Sequence, residues 1–165
     1  MAVDMFLKID GVEGDSSAVK HKGEIELLSF SWGITNKIAH SGGGGGATGK
    51  PVVQDFTIVK AMGASSPQLM EKCCRGEHIP SVSVTLASKE SKQEYLKIKL
   101  EDCLISSYQT SGGGVGASVP MDQVSFNFRS VDVQVLNAKG QFEQTSCNFS
   151  GEIASNAAAA HKHGE

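Results

Sequence analysis

Aromatic residues are scarce in this chain of 165 residues, at 6%, and only 4 prolines occur. So little proline excludes a proline-rich linker protein. Runs of lysine and arginine are missing too. Lys+Arg 15 stand against Asp+Glu 18, for a formal net charge of -3, so there is no electrostatic footprint for nucleic acid. No apolar stretch approaches the roughly 20 residues that span a bilayer, and no membrane partner is expected. The first residues, Met1-Ala2-Val3-Asp4-Met5-Phe6-Leu7-Lys8-Ile9-Asp10, have no basic segment followed by an apolar one. No secretory signal peptide is therefore expected, and any export would need a dedicated machine. Among Cys73, Cys74, Cys103 and Cys147 there is no Cys-x-x-Cys pair, which argues against a zinc site or a disulfide framework. Reduced, mostly buried thiols are expected instead. The nucleophile elbow Gly-x-Ser-x-Gly is absent. Glu101 and Asp102 are adjacent, and neighbouring strand residues point to opposite faces, so they do not pair as acid and base. No catalytic residue, cofactor or metal site is expected. His21, His40, His78, His161 and His163 read as surface residues, with Lys20-His21-Lys22 a solvated turn.

Glycine, by contrast, is abundant at 19. Much of it falls in Ser41-Gly42-Gly43-Gly44-Gly45-Gly46-Ala47-Thr48-Gly49-Lys50. Five consecutive glycines cannot order themselves, because fixing each backbone costs about 1–2 kcal/mol and glycine loses the most freedom. Such a segment stays mobile or becomes ordered against a partner. Gly44 to Lys50 matches the first seven positions of a phosphate-binding loop, but Pro51 stands where a magnesium-binding hydroxyl belongs. A strand follows where that loop needs a helix N-terminus. Nucleotide binding is the unfavoured alternative.

Alternation dominates the rest. Val3, Met5, Leu7 and Ile9 share one face of a first strand, with Asp4, Phe6, Lys8 and Asp10 on the other. Glu24 to Ile34 reads as a second strand, with Leu28, Phe30, Trp32 and Ile34 on a core face and Ile25, Leu27, Ser29 and Ser31 opposite. A third runs from about Val52 to Lys60. Ser65-Ser66-Pro67-Gln68 offers an N-cap with capping-box spacing. The helix it opens would bury Leu69, Cys73 and Met70 and stop at Gly76. Strands resume around Val82–Leu86 and Leu96–Leu100. Glu101–Ile105 breaks the phase as a bulge would, and later strands run through Val124–Val135 and Phe142–Phe149, separated by an Asn137–Gly140 turn. The sum is a mainly β protein: a small antiparallel β-barrel or closed sandwich of about eight strands with one short α-helix. One domain over residues 1–153 and a flexible tail over 154–165 are expected. The short polar residues Ser29 and Ser31 would lie in solvated sheet or line a polar cavity.

Met1 to Ile9, Ser31-Trp32-Gly33, the Ser41–Gly46 run before Asp55-Phe56, Lys60, Ser66-Pro67-Gln68-Leu69, Gly76-Glu77-His78, Tyr95-Leu96, Ile105–Tyr108 and Val124–Phe128 occur in an order that resembles the hemolysin-coregulated protein (Hcp) family of type VI secretion systems. The resemblance covers roughly Met1 to Val135. It implies a β-barrel of two sheets with a flanking helix, six copies in a ring with a wide hole, and rings stacked into a tube. A sheath would drive that tube and its spike out of the bacterium. Partners would be further copies of the chain, spike and sheath components, and effector proteins held in the ring lumen. The Ser41–Lys50 loop would reach the neighbouring ring, and Ser29 and Ser31 would face the lumen. The protein would be cytoplasmic before export and extracellular after it. A phage-derived contractile tail-tube protein is the alternative of the same architecture.

Overall fold

A computed structural model describes residues 2–36, 51–116 and 119–149. The Ser41–Lys50 loop, His40, His161, His163 and the 154–165 tail lie outside them. Among the described residues there are eleven strands and one α-helix: β1 Val3–Ile9, β2 Ile25–Glu26, β3 Ser29–Ser31, β4 Ile34–Asn36, β5 Pro51–Val53, β6 Phe56–Ala61, α1 Ser65–Arg75, β7 Ile79–Ser88, β8 Glu94–Ser111, β9 Met121–Asn127, β10 Ser130–Leu136 and β11 Phe142–Asn148.

All pairings are antiparallel, and β8, at 18 residues, serves two sheets. Its first half lies between β7 and β10. That sheet runs β2-β1-β7-β8-β10-β11. Its second half pairs β9, in a sheet ordered β8-β9-β6-β3. The strand changes sheet at Asp102, whose positive φ of 52 is the backbone form of the phase break read at Glu101–Ile105. The chain turns a second corner at Leu27–Leu28: Leu27 N donates to Met5 O in one sheet and Leu28 N to Val59 O in the other. The hydrogen-bonded ladder is therefore not a closed barrel, which corrects that expectation; covalent corners do what continuous pairing would have done. That corner separates β2 from β3, and a second break at Trp32-Gly33 separates β3 from β4, so the expected Glu24–Ile34 strand is three short ones. Ile25 and Leu27 are buried, while Leu28 is 51% exposed and Ile34 42%.

Between the sheets sits one hydrophobic cluster, with Leu7, Val82, Val84 and Leu100 from the first sheet and Phe56, Ile58, Val124 and Phe126 from the second. Trp32 is half-buried against the rings of Phe56 and Phe128, 6.4 and 6.3 Å away. Phe6 is buried although it lies on the polar face of β1, because His21 stacks on it at 4.2 Å. His21 is thus neither solvated nor a surface residue: its ring nitrogens face Glu24 at 2.9 Å and Glu94 at 3.0 Å. The thiols are free, with Cys103 buried but Cys74 exposed. Burial, with Asp102 and Glu101 nearby, pushes the Cys103 thiol up to about 12, so it stays protonated.

Candidate interaction surfaces

The helix is placed by charge. Lys60 on β6 and Asp122 on β9 are register partners on the inner face of the second sheet, 1% and 0% exposed. Lys60 Nζ donates to Asp122 Oδ2 at 2.8 Å, to Ser66 Oγ at 2.9 Å and to Ala61 O at 3.2 Å. Ser66 Oγ, in the first turn of α1, also donates to Asp122 Oδ2 and accepts from Gly63 N. Burial alone would raise the Asp122 carboxyl. Hydrogen bonds from Lys60 and Ser66, with the nearby Tyr108 hydroxyl and the Lys60 charge, outweigh it and hold the group below its ordinary value. Tyr108 Oη and Asp122 Oδ1 make no well-formed hydrogen bond, yet they lie close enough for each to shift the other; burial and then Asp122 push the Tyr108 hydroxyl up. The expected Ser65 cap is replaced. Ala64 occupies the cap position without a side-chain bond, and Asp15 Oδ2, from the β1–β2 connection, accepts from Ala64 N at 3.0 Å. Gly76 ends the helix as expected, left-handed at φ 59, its N–H bonded to the carbonyls of Cys73 and Lys72. Leu69 is buried and Cys73 packs on the core, whereas Met70 is exposed.

Residues 37–50 join β4 to β5, which among the described residues pair only with each other, from Ile34↔Val53 to Asn36↔Pro51. The glycine segment therefore connects the two arms of a ribbon that belongs to neither main sheet. Ile34 and Val52 on this ribbon are 42% and 49% exposed. The single strand expected from about Val52 to Lys60 is two, β5 and β6, which break at Gln54-Asp55 and pair with different strands, and no helix begins at Pro51.

Ser29 and Ser31 both lie exposed on β3, on the face away from Phe30, which stacks on Phe56 at 5.7 Å. They share that face with Thr57, Ser125 and Ser107, through the register Ser31↔Thr57, Thr57↔Ser125 and Ser125↔Ser107. Sequence reading did not single out these three. Alternation alone puts each on the face away from the core, but only strand order puts them beside Ser31, where Thr57 and Ser107 are half-buried and Ser125 is 9% exposed. Glu101 and Asp102 are both exposed, and Asp102 pairs instead with His78 at 2.9 Å and Arg129 at 3.8 Å. Among the described residues no group of three or more His, Cys, Asp or Glu is placed to hold a metal ion, and no helix is long and apolar enough to cross a membrane.

Two antiparallel sheets sharing one bent strand, with a single docked helix and a separate ribbon, make up the fold shared by solved type VI secretion proteins. The family model described as "Type VI secretion system effector, Hcp" matches residues 6–135. Protein hcp1 of Pseudomonas aeruginosa is 38% identical over 163 residues, covering 96% of this chain and 100% of that protein. The crystal structure of Hcp1 from Salmonella typhimurium superposes with a TM-score of 0.77 at 32% identity, covering 90% of this chain and 96% of that one. A structure described as a type VI secretion system effector from Yersinia pestis gives 0.74 at 28% identity, over 88% and 99%. The chain belongs to the Hcp family of type VI secretion proteins.

Proposed function

We propose that this protein is a non-enzymatic tube subunit: six copies close into a ring, rings stack into a tube, and the tube leaves the bacterium with its spike, driven by the sheath. The observation that carries this reading is family membership along nearly the whole chain, 96% of it in the match to Protein hcp1. The separate ribbon β4–β5 supports it, because a two-stranded ribbon alone is marginal in water and this one exposes Ile34 and Val52. A neighbouring copy would cover them, and Ser41–Lys50 at its end would make the ring-to-ring contact. Residues 1–153 act as one domain in this reading, with 154–165 as a tail. In this reading the protein starts in the cytoplasm and is exported by the tube machinery itself, with no nucleic-acid or membrane partner.

Native mass spectrometry with negative-stain images tests the assembly. A six-fold ring with an open centre is expected, and a monodisperse monomer at micromolar concentration would refute it.

The second part of the reading places Ser29 and Ser31 on the lumen wall, in contact with effector cargo. Replacing both with arginine should block cargo retention while the ring persists, because exposed side chains on β3 can grow into solvent without disturbing Phe30 and Phe56 beneath. Co-purification of a tagged cargo with wild-type and variant rings is the measurement; unchanged retention would remove these residues from the lumen.

A further inference from the structure

Three consecutive rows on the face of the second sheet that carries Ser29 and Ser31 hold no charge. Ser31, Thr57, Ser125 and Ser107 form one row in which each of the four strands contributes a hydroxyl. Thr57 Oγ1 and Ser125 Oγ lie 2.9 Å apart. The next row holds Ser29, Val59, Gln123 and Gln109, and the one beyond it Ala61, Met121 and Ser111. The charge adjoining these rows is Asp55, two residues before Thr57. Its carboxylate is engaged by Ser106 Oγ at 2.6 Å and Asn127 Nδ2 at 3.4 Å. The first sheet does the opposite: its outward face carries Lys8, Lys97, Lys99, Glu101 and Asp132 in adjoining register positions. One chain thus presents two solvent-facing sheets of opposite character.

Charged side chains keep an exposed sheet soluble and oppose pairing with other chains. A face without them forgoes both benefits. It also forgoes discrimination by sign, since a charged wall attracts one class of partner and repels the other. Hydroxyls and carboxamides donate and accept at once, so the same row can meet either a donor or an acceptor. Water can complete contacts that do not match directly.

We propose that the row Ser31–Thr57–Ser125–Ser107 is the cargo-contact element, and that it takes uncharged polar protein surface through hydrogen bonds in place of ion pairs. This rests on the lumen reading of Ser29 and Ser31, and adds Thr57, Ser107 and Ser125 to it.

The assembled full-length protein is titrated, by fluorescence anisotropy, with three labelled probe peptides: one of Ser, Asn, Gln and Gly, and two in which alternate residues are Lys or Glu. The neutral peptide should bind best. Its dissociation constant should hold within about twofold as salt rises from about 0.1 to about 1 M, which cuts the Debye length from about 10 to about 3 Å. Thr57→Val and Ser125→Ala should each weaken it by about three- to tenfold. Ser31→Ala, at an exposed position, should do the same and serves where either of the others fails to fold. Tighter binding of a charged peptide that salt abolishes, no binding of the neutral peptide, or wild-type affinity in the variants overturns the proposal. The orientation of the sheet is read separately from electron microscopy of the ring. A row facing the outer wall overturns the lumen reading and leaves the peptide titration to judge the chemistry.

Discussion

Shortening Gly42–Gly46 to two residues should leave rings intact, abolish their stacking into tubes and stop secretion. The change lies between β4 and β5 in the chain and leaves the residues of the Ile34↔Val53 and Asn36↔Pro51 pairs unaltered. Loop closure responds weakly to length, about 0.6 kcal/mol for each doubling, and a shorter loop closes at slightly lower entropic cost. The fold therefore has no reason to weaken. Reach is another matter. Three residues removed from a segment that goes out and back withdraw its end by about 5 Å. A van der Waals contact is lost well within that distance, because attraction is already much reduced by a gap of about 1 Å. Ring mass from native mass spectrometry, tube length from negative stain and protein in the culture medium together separate the possibilities. Long tubes from the shortened protein would remove the stacking role from this segment. Loss of the ring itself would move that role to the contacts within the ring.

Some elements were legible from local rules alone. The alternation of β1, the stop at Gly76 and the turn at Asn137–Gly140 each depend on residues within a few positions of one another. Gly76 is left-handed at φ 59 and Gly140 at φ 81, conformations for which glycine is suited. The outward placement of Ser29 and Ser31 followed from alternation too. What was not legible needed distant partners. Leu28 continues the alternation of Phe30 and Trp32, yet the chain changes sheets at Leu27–Leu28, and only the pairing of Leu28 with Val59 shows it. His21 lies among lysines in sequence, but Phe6 and Glu94 bury it from two other strands. Lys60 sits inside a strand where a lysine ordinarily signals solvent, and its partner Asp122 is 62 positions away. Hydropathy read along the chain cannot pair them. The row Ser31–Thr57–Ser125–Ser107 was hidden for the same reason, since it is a property of strand order.

That buried pair carries the largest expected effect on stability. Lys60→Met should cost about 3–5 kcal/mol, because it leaves the Asp122 carboxylate uncompensated in the core. Folded domains hold only about 5–15 kcal/mol in total, so urea should unfold the variant at a much lower midpoint. Asp122→Leu should be similarly damaging through the stranded ammonium and the lost acceptor of Ser66. The double variant Lys60→Met/Asp122→Leu should be less destabilised than the two single costs added together, since neither charge is then left behind. Asp122 gives this pair its pH dependence. Its carboxyl is held below the ordinary value in the fold, so its contribution to stability is complete above that value, 3.8. The contribution is lost as the pH falls from there through the folded-state pKa. Removing Lys60 takes away the strongest hydrogen bond that holds the group down and the opposite charge with it, so burial is opposed only by Ser66 and Tyr108 and the group moves upward. Through protonation of Asp122, the stability of Lys60→Met should then rise relative to that of the wild type on mild acidification. Urea midpoints measured from neutral pH down to the carboxylate range read both slopes. Parallel curves for wild type and Lys60→Met would show that Lys60 and Asp122 do not act as a coupled pair, and that α1 is seated on the second sheet by packing around Leu69.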